Sequence, residues 1–249
     1  MDFGTAAIVA ATFLVAGMVK GITGMGLPTV AMAVLGTLLS PVVAAAMLVV
    51  PTFITNIWQM VVGPSLGALV ARLWLMMICI TLGTLLGAWM LTSGSADGTM
   101  LALGVILSVY AIASLLKWEL TIPPRLERRL SPVIGLVTGV IGGSTAVFAI
   151  PVAPYLQGLG LGKDDLVQAL GLSFTVSTIS LAIGLGWGGA FNVGMAGASA
   201  LGVVTALIGM TLGKYLRDRI EPATFRRWFL IGLLVIGAQL ILRAGLAMA

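Results

Sequence analysis

Long apolar runs separated by short polar stretches divide this chain into eight segments, at about 4–39, 41–62, 73–92, 99–117, 132–158, 165–187, 193–213 and 225–242. Runs this apolar show no helical or strand period, so they are read by their length and their flanking turn signals. A helix that crosses a bilayer needs about 20 apolar residues. Most segments match that length, but the first is too long for one crossing and contains several glycines and Pro28. The stretch Lys117–Ser131 is polar, with Pro123, Pro124, Arg125, Arg128 and Arg129, and reads as a linker. It divides the chain into two four-segment units, 1–120 and 121–249. The pattern predicts an all-α integral membrane protein.

Two glycine ladders interrupt this pattern. Gly17-x3-Gly21-x2-Gly24 lies in the first segment, and Gly135-x3-Gly139-x2-Gly142 repeats the spacing 118 residues later in the fifth. Other features recur at similar distances: Gly83 and Gly87 return as Gly209 and Gly213, and Thr52 and Thr55 as Thr175 and Thr178. An internal duplication follows. Broken backbone inside a bilayer survives only where protein or a water-filled cavity satisfies it, and matched breaks in two halves point to a transport site.

Composition sharpens the class. Hydrophobic residues make up 59% of the chain and charged residues 8%, with mean hydropathy +1.15; soluble domains carry about 25% charged residues. Histidine is absent and Cys79 is alone, which excludes an internal disulfide, histidine-based metal sites and His-dependent catalytic triads. No cofactor or metal is expected, and an enzyme is not. The pI near 9.9 does not indicate nucleic acid, because the cations sit at segment ends, where membrane topology accounts for them. The sequence MDFGTAA lacks the cationic start of a cleaved signal peptide.

Charge placement also tests the topology. If all eight segments cross once, Arg72, Lys117, Arg125, Arg128, Arg129 and Arg243 face one side, and Lys163, Lys214, Arg217, Arg219, Arg226 and Arg227 the other. That even division violates the bias of Lys and Arg toward the cytoplasm. If the first and fifth segments turn back at their ladders as re-entrant hairpins, only Arg243 remains outside. Each half then crosses an odd number of times, and the halves become inverted repeats.

At each break, backbone N–H groups of a helix N-terminus can attract an anion without a charged side chain. The candidate turns are Thr23, Gly24, Met25 and Gly26, and Gly142, Gly143, Ser144 and Thr145. A purely structural account is that these glycines let helices pack closely; the repetition and the cation count favour a site. Lys20 stands far from a segment end, either as the counter-charge of an anion or as a side chain that snorkels to a mouth. Its match in the second ladder is Thr138. Thr52, Thr55, Asn56 and Gln59 share one helix face, answered by Gln168, Ser173, Thr175, Ser177 and Thr178, either as a cavity lining or as interhelical glue. Trp58 and Trp187 read as cavity closers or interfacial anchors. Gly83/Gly87 and Gly209/Gly213 read as close helix contacts, and Asp164 and Asp165 as caps of the sixth segment. Ser144 has no histidine to activate it as a nucleophile.

At these residues the chain resembles the sulfite exporter TauE/SafE (TSUP) family. The pattern is a glycine-rich break followed by proline in each half, here GITGMGLP with Pro28 and GVIGGSTAVFAIP with Pro151. Met25 interrupts the first glycine cluster, and Ser144-Thr145 end the second, which departs from the commoner glycine triplet. The resemblance covers essentially the whole chain. It implies a multi-pass secondary transporter of the bacterial inner (plasma) membrane for small sulfur-containing or organic anions such as sulfite, thiosulfate, sulfoacetate or sulfonates. Its partners are then the anion and the lipid bilayer, with a homodimer allowed and nucleic acid not involved. Export of an anion from a negative-inside cell releases about 2.3 kcal/mol per charge per 100 mV and needs no second ion. Every Asp and Glu lies at a terminus or in a loop, which favours export over proton-coupled import. A cation-coupled importer and an anion channel of the same fold are the alternatives.

Overall fold

A computed structural model describes residues 3–116, 121–191, 195–217 and 222–248. Among these residues the chain is helical throughout: α1 (Phe3–Thr23), α2 (Leu27–Leu38), α3 (Pro41–Val61), α4 (Leu66–Ser93), α5 (Ala96–Leu115), α6 (Pro124–Thr145), α7 (Val152–Gly158), α8 (Lys163–Trp187), α9 (Ala196–Arg217) and α10 (Pro222–Met248). Seven described helices are long and apolar enough to cross a membrane. The eight apolar segments become ten helices because the first and fifth each split in two. α1, at 21 residues, is about 31 Å long.

Three boundaries differ from the sequence reading. The stretch read as a linker is already helical from Pro124, since Pro123-Pro124 supplies the fixed φ favoured at a helix start and Glu127 sits in the first turn. Likewise α4 begins at Leu66 rather than near 73, so Arg72 lies within it. Asp164 and Asp165 occupy the first turn of α8 without capping it; Gly162 is the cap residue and no side chain bonds there. Those carboxylates act on the positive helix end instead.

Helix pairing runs across the middle of the chain. α1 packs along α9, α6 along α4, α5 along α10, and α3 along α8. The first two pairings are built on glycine. A Cβ on Gly17 would collide with the Ala206 carbonyl and one on Gly21 with Met210, while Gly209 and Gly213 lie as close to Leu14 and Met18. On the other seam, Gly139 and Gly143 abut Ile80, Thr84 and Gly87, and Gly83 and Gly87 abut Leu136 and Val140. Gly83/Gly87 and Gly209/Gly213 are close helix contacts, as expected. Their partners are the ladders of the opposite half, so most ladder rungs serve packing.

These contacts correct the register of the repeat. Gly17 and Gly21 are the counterparts of Gly139 and Gly143, a displacement of 122 residues rather than 118. The helix ends agree. Thr23 closes α1 by donating its hydroxyl to Val19 O at 2.9 Å and accepting from Met25 N at 3.3 Å. Thr145, 122 residues later, closes α6 by donating to Ile141 O at 2.7 Å and accepting from Val147 N at 3.3 Å. In this register Lys20 corresponds to Gly142, not Thr138.

One end of the bundle collects the cations. Arg72 on α4 forms a bidentate pair with Glu127 on α6, at 2.6 and 2.8 Å. Ile122 N donates to Gly158 O at 2.9 Å, so the chain through α6 and α7 doubles back to where it started. The Tyr155 hydroxyl fastens this return: it lies 2.7 Å from Ser131 Oγ and donates to Glu127 O at 3.2 Å. α6 starts at this end, whereas α1 runs toward it.

Gln168 stitches the same end together. Fully buried on α8, it accepts from Ser65 N at 2.8 Å and donates to Met60 O and Gly63 O at 2.7 and 2.8 Å, which fixes the turn between α3 and α4. Gln168→Ala leaves these buried backbone groups without partners. We expect it to cost about 2 kcal/mol, read as a lowered melting temperature in detergent.

Candidate functional site

The site begins where α1 stops. Gly24 and Gly26 adopt left-handed backbone (φ 80° and 99°), which glycine enters without penalty, and Pro28 occupies the first turn of α2. The equivalent bend after α6 places Ala146 at φ 57°, a conformation that costs an L residue about 1–2 kcal/mol. The two bends meet at the protein centre. Pro28 of the first and Ala146 and Phe148 of the second line a small pocket with Thr52 and Thr178. Its volume, about 10 Å³, is at the lower limit for one water, so the centre is shut. The Thr52 hydroxyl is buried there with no hydrogen-bond partner.

Above this closure a cavity of about 380 Å³ opens toward the basic end. Lys20, Gly24 and Thr55 line its inner part, Trp58, Gln59 and Asp164 its α3–α8 side, and Lys214 and Arg217 its α9 side. Lys20 is 4% exposed and is the one Lys, Arg, Asp or Glu among the described buried residues. Its ammonium donates to Thr55 Oγ1 at 3.0 Å and to Asn56 Oδ1. Asn56 Nδ2 in turn donates to Thr178 Oγ1 at 3.4 Å. A polar relay thus joins α1, α3 and α8, and each of its members is buried. The one salt bridge among described residues is Arg72–Glu127, so the Lys20 charge has only neutral partners. Burying a cation without a counter-charge costs several kcal/mol, a cost that an anion beside the Lys20 ammonium would offset.

Residues 9–240 match the family Sulfite exporter TauE/SafE. The chain belongs to that family. No curated protein and no solved structure matches it. TauE/SafE proteins are membrane transporters, and this TauE/SafE chain is a multi-pass membrane protein.

The candidate residues separate into groups in this TauE/SafE protein. Lys20, Thr55, Asn56 and Thr178 are brought into direct contact, Gly24 lines the same cavity, and Thr52 lies at the shut centre. Thr23 and Thr145 are spent on closing their helices. Gly26 faces Val19 and Phe229, Gly142 faces the Phe148 ring, and Gly143 and the Ser144 backbone rest against α4. The Ser144 hydroxyl donates to Ile141 O. Thr175 donates to Gly171 O, part of a series in which Ser173, Ser177, Thr178 and Ser180 also bond the carbonyl four residues back. Such hydroxyls keep their oxygen lone pairs but have committed their protons. Thr138, named as the match of Lys20, is buried without a partner on α6. Trp58 is exposed at the cavity wall and Trp187 is exposed elsewhere. Asp164, Lys214 and Arg217 were missed as cavity residues. Their places near segment ends suggested topology alone, and only the packing of α9 on α1 and of α8 on α3 brings them to the cavity that Lys20 lines.

Proposed function

We propose that this protein exports small sulfur-containing or organic anions, of the sulfite, thiosulfate or sulfonate type, across the bacterial inner membrane. The observation that carries the reading is the buried Lys20 ammonium at the inner end of a cavity of about 380 Å³, with neutral partners only. The anion enters from the basic, cytoplasmic end and reaches Lys20 beside Thr55 and Asn56. It then passes the centre between the two bends, where the unpartnered Thr52 hydroxyl offers its next hydrogen bond. A cavity that ends at a shut centre supports alternating access rather than an open pore.

The halves are read as inverted repeats whose first and fifth segments re-enter, which places the Arg72–Glu127 end in the cytoplasm. The membrane potential then drives efflux, at about 2.3 kcal/mol per negative charge per 100 mV. Purified protein in liposomes should move sulfite or a sulfonate down its gradient, faster when the potential repels the anion from the loaded side. Saturable flux that ignores the imposed potential would overturn potential-driven export. Unitary currents would replace the carrier by a channel.

A further inference from the structure

The two halves treat their bends differently. In the register set by the helix ends, Lys20 and Gly24 of the first bend correspond to Gly142 and Ala146 of the second, and Gly26 corresponds to Phe148. The backbone agrees, since Gly24 and Ala146 both take left-handed φ, 80° and 57°. Around the first bend there is room. A Cβ on Gly24 would meet nothing within 4 Å, and Lys20 and Gly24 line the large cavity. Around the second bend there is none. The Phe148 ring folds back over Gly142, where a Cβ would overlap its Cδ1 and Cε1 atoms, and both Phe148 and Ala146 are buried. The same ring lines the small pocket at the shut centre. Space that is open beside the first bend is therefore filled, beside the second, by an aromatic side chain that its counterpart Gly26 lacks. The difference also has a direction. α1 runs toward the basic end and α6 runs away from it, so a cavity at the second bend would face the opposite end of the bundle.

We propose that Phe148 is the outer gate of this transporter. With its ring seated on Gly142 the centre is shut, as here. When the ring leaves that seat, a second cavity opens at Gly142 and Ala146 toward the outer face, the image of the one at Lys20 and Gly24. Gly142 has no side chain because the closed ring needs its place. This rests on the alternating-access reading above and adds to it the side chain that moves. Burial of the apolar ring holds the closed arrangement, so closure itself requires no ion.

Val49 can report on this gate. It is buried and lines the same small pocket from α3. α3 ends at the turn that Gln168 fixes at the basic end, so Val49 lies about one helical turn farther out than Thr52. The test places V49C in the full-length protein with C79S, which removes the natural thiol. A membrane-impermeant thiosulfonate is then added to right-side-out or to inside-out vesicles. With Phe148 in place the thiol should react slowly from the outer side. F148A should raise that rate about tenfold or more, because the buried ring no longer holds the closed arrangement. G142A unseats the ring without removing it and should also raise the rate, while G142A/F148A should react no faster than F148A. An unchanged outer-side rate in both single variants, in protein that elutes monodisperse, overturns the proposal. So does acceleration from the basic side instead, which would make Phe148 part of the inner closure. Additive effects in the double variant overturn it too, since they would mean general loosening of the α6 tip. The labelling needs no substrate, so it fails or succeeds apart from the export reading. A responsive thiol in a protein whose wild type moves no anion in liposomes keeps the gate and removes export.

Discussion

Lys20→Met should lose transport and keep the fold. Methionine matches the length and flexibility of the lysine stem, so the α1 surface against α3 stays filled. The substitution removes a cation that is 4% exposed and has only neutral partners. Attraction between such a cation and an anion about 4 Å away is worth a few kcal/mol at an effective dielectric near 20, so flux in liposomes should fall at least about 100-fold. Stability should move the other way or not at all. Relief from burying a lone charge offsets the loss of donors to Thr55 and Asn56, each worth about 1 kcal/mol. A melting temperature equal to or above the wild-type value, together with lost flux, separates a binding role from a scaffolding one. Flux within a factor of two of wild type would remove Lys20 from the site.

The second large effect is on folding. Gly139→Leu sets a side chain into the Ile80 carbonyl and the Thr84 and Gly83 backbone, and Gly209→Leu does the same to Leu14 and Met18. Backbone cannot step aside as a side-chain tip can, so each change must separate two helices along their whole contact. Overpacking of an ordinary core costs about 1–3 kcal/mol, and these seams should exceed that because no rotamer avoids the clash. Both variants should fail to elute as monodisperse protein. Gly232→Leu is the control: nothing lies within 4 Å of that position, and losing a helix glycine should gain up to about 1 kcal/mol. Wild-type melting of Gly139→Leu would mean that α4 and α6 sit farther apart.

The segments were legible because burial in lipid demands apolar runs of fixed length, and the bounds of α3 and α8 fell within about two residues of the hydropathy reading. The first break was legible from Gly24, Gly26 and Pro28, but the second was read at residues 142–145, which are still the last turn of α6; the chain bends just after them, at Ala146. The register of the two breaks was not legible. Ladder spacing matched Gly17 to Gly135, but the hydroxyl closures at Thr23 and Thr145 and the seam contacts match it to Gly139. Glycine spacing repeats within a ladder, so it fits more than one alignment. A helix end occurs once. The contact of Lys20 with Thr55 and Asn56 was half legible: all three were candidates, but nothing in sequence says which faces of α1 and α3 meet. Gln168 was grouped with the hydroxyls of α8 although it serves the α3–α4 turn. A buried amide advertises a need for partners without naming them.

The pairing of α1 with α9 and of α6 with α4 has a consequence for biogenesis. When the ribosome has delivered only the first five helices, the glycine faces of α1 and α4 have no mates, and Lys20 borders a surface still to be covered. The early half must wait in the membrane, loosely gathered, until α6 and α9 arrive and lock both seams. Assembly is therefore a late, joint event for the two halves. Severing the chain between α5 and α6 should yield fragments that need one another during insertion, not two independent folding units.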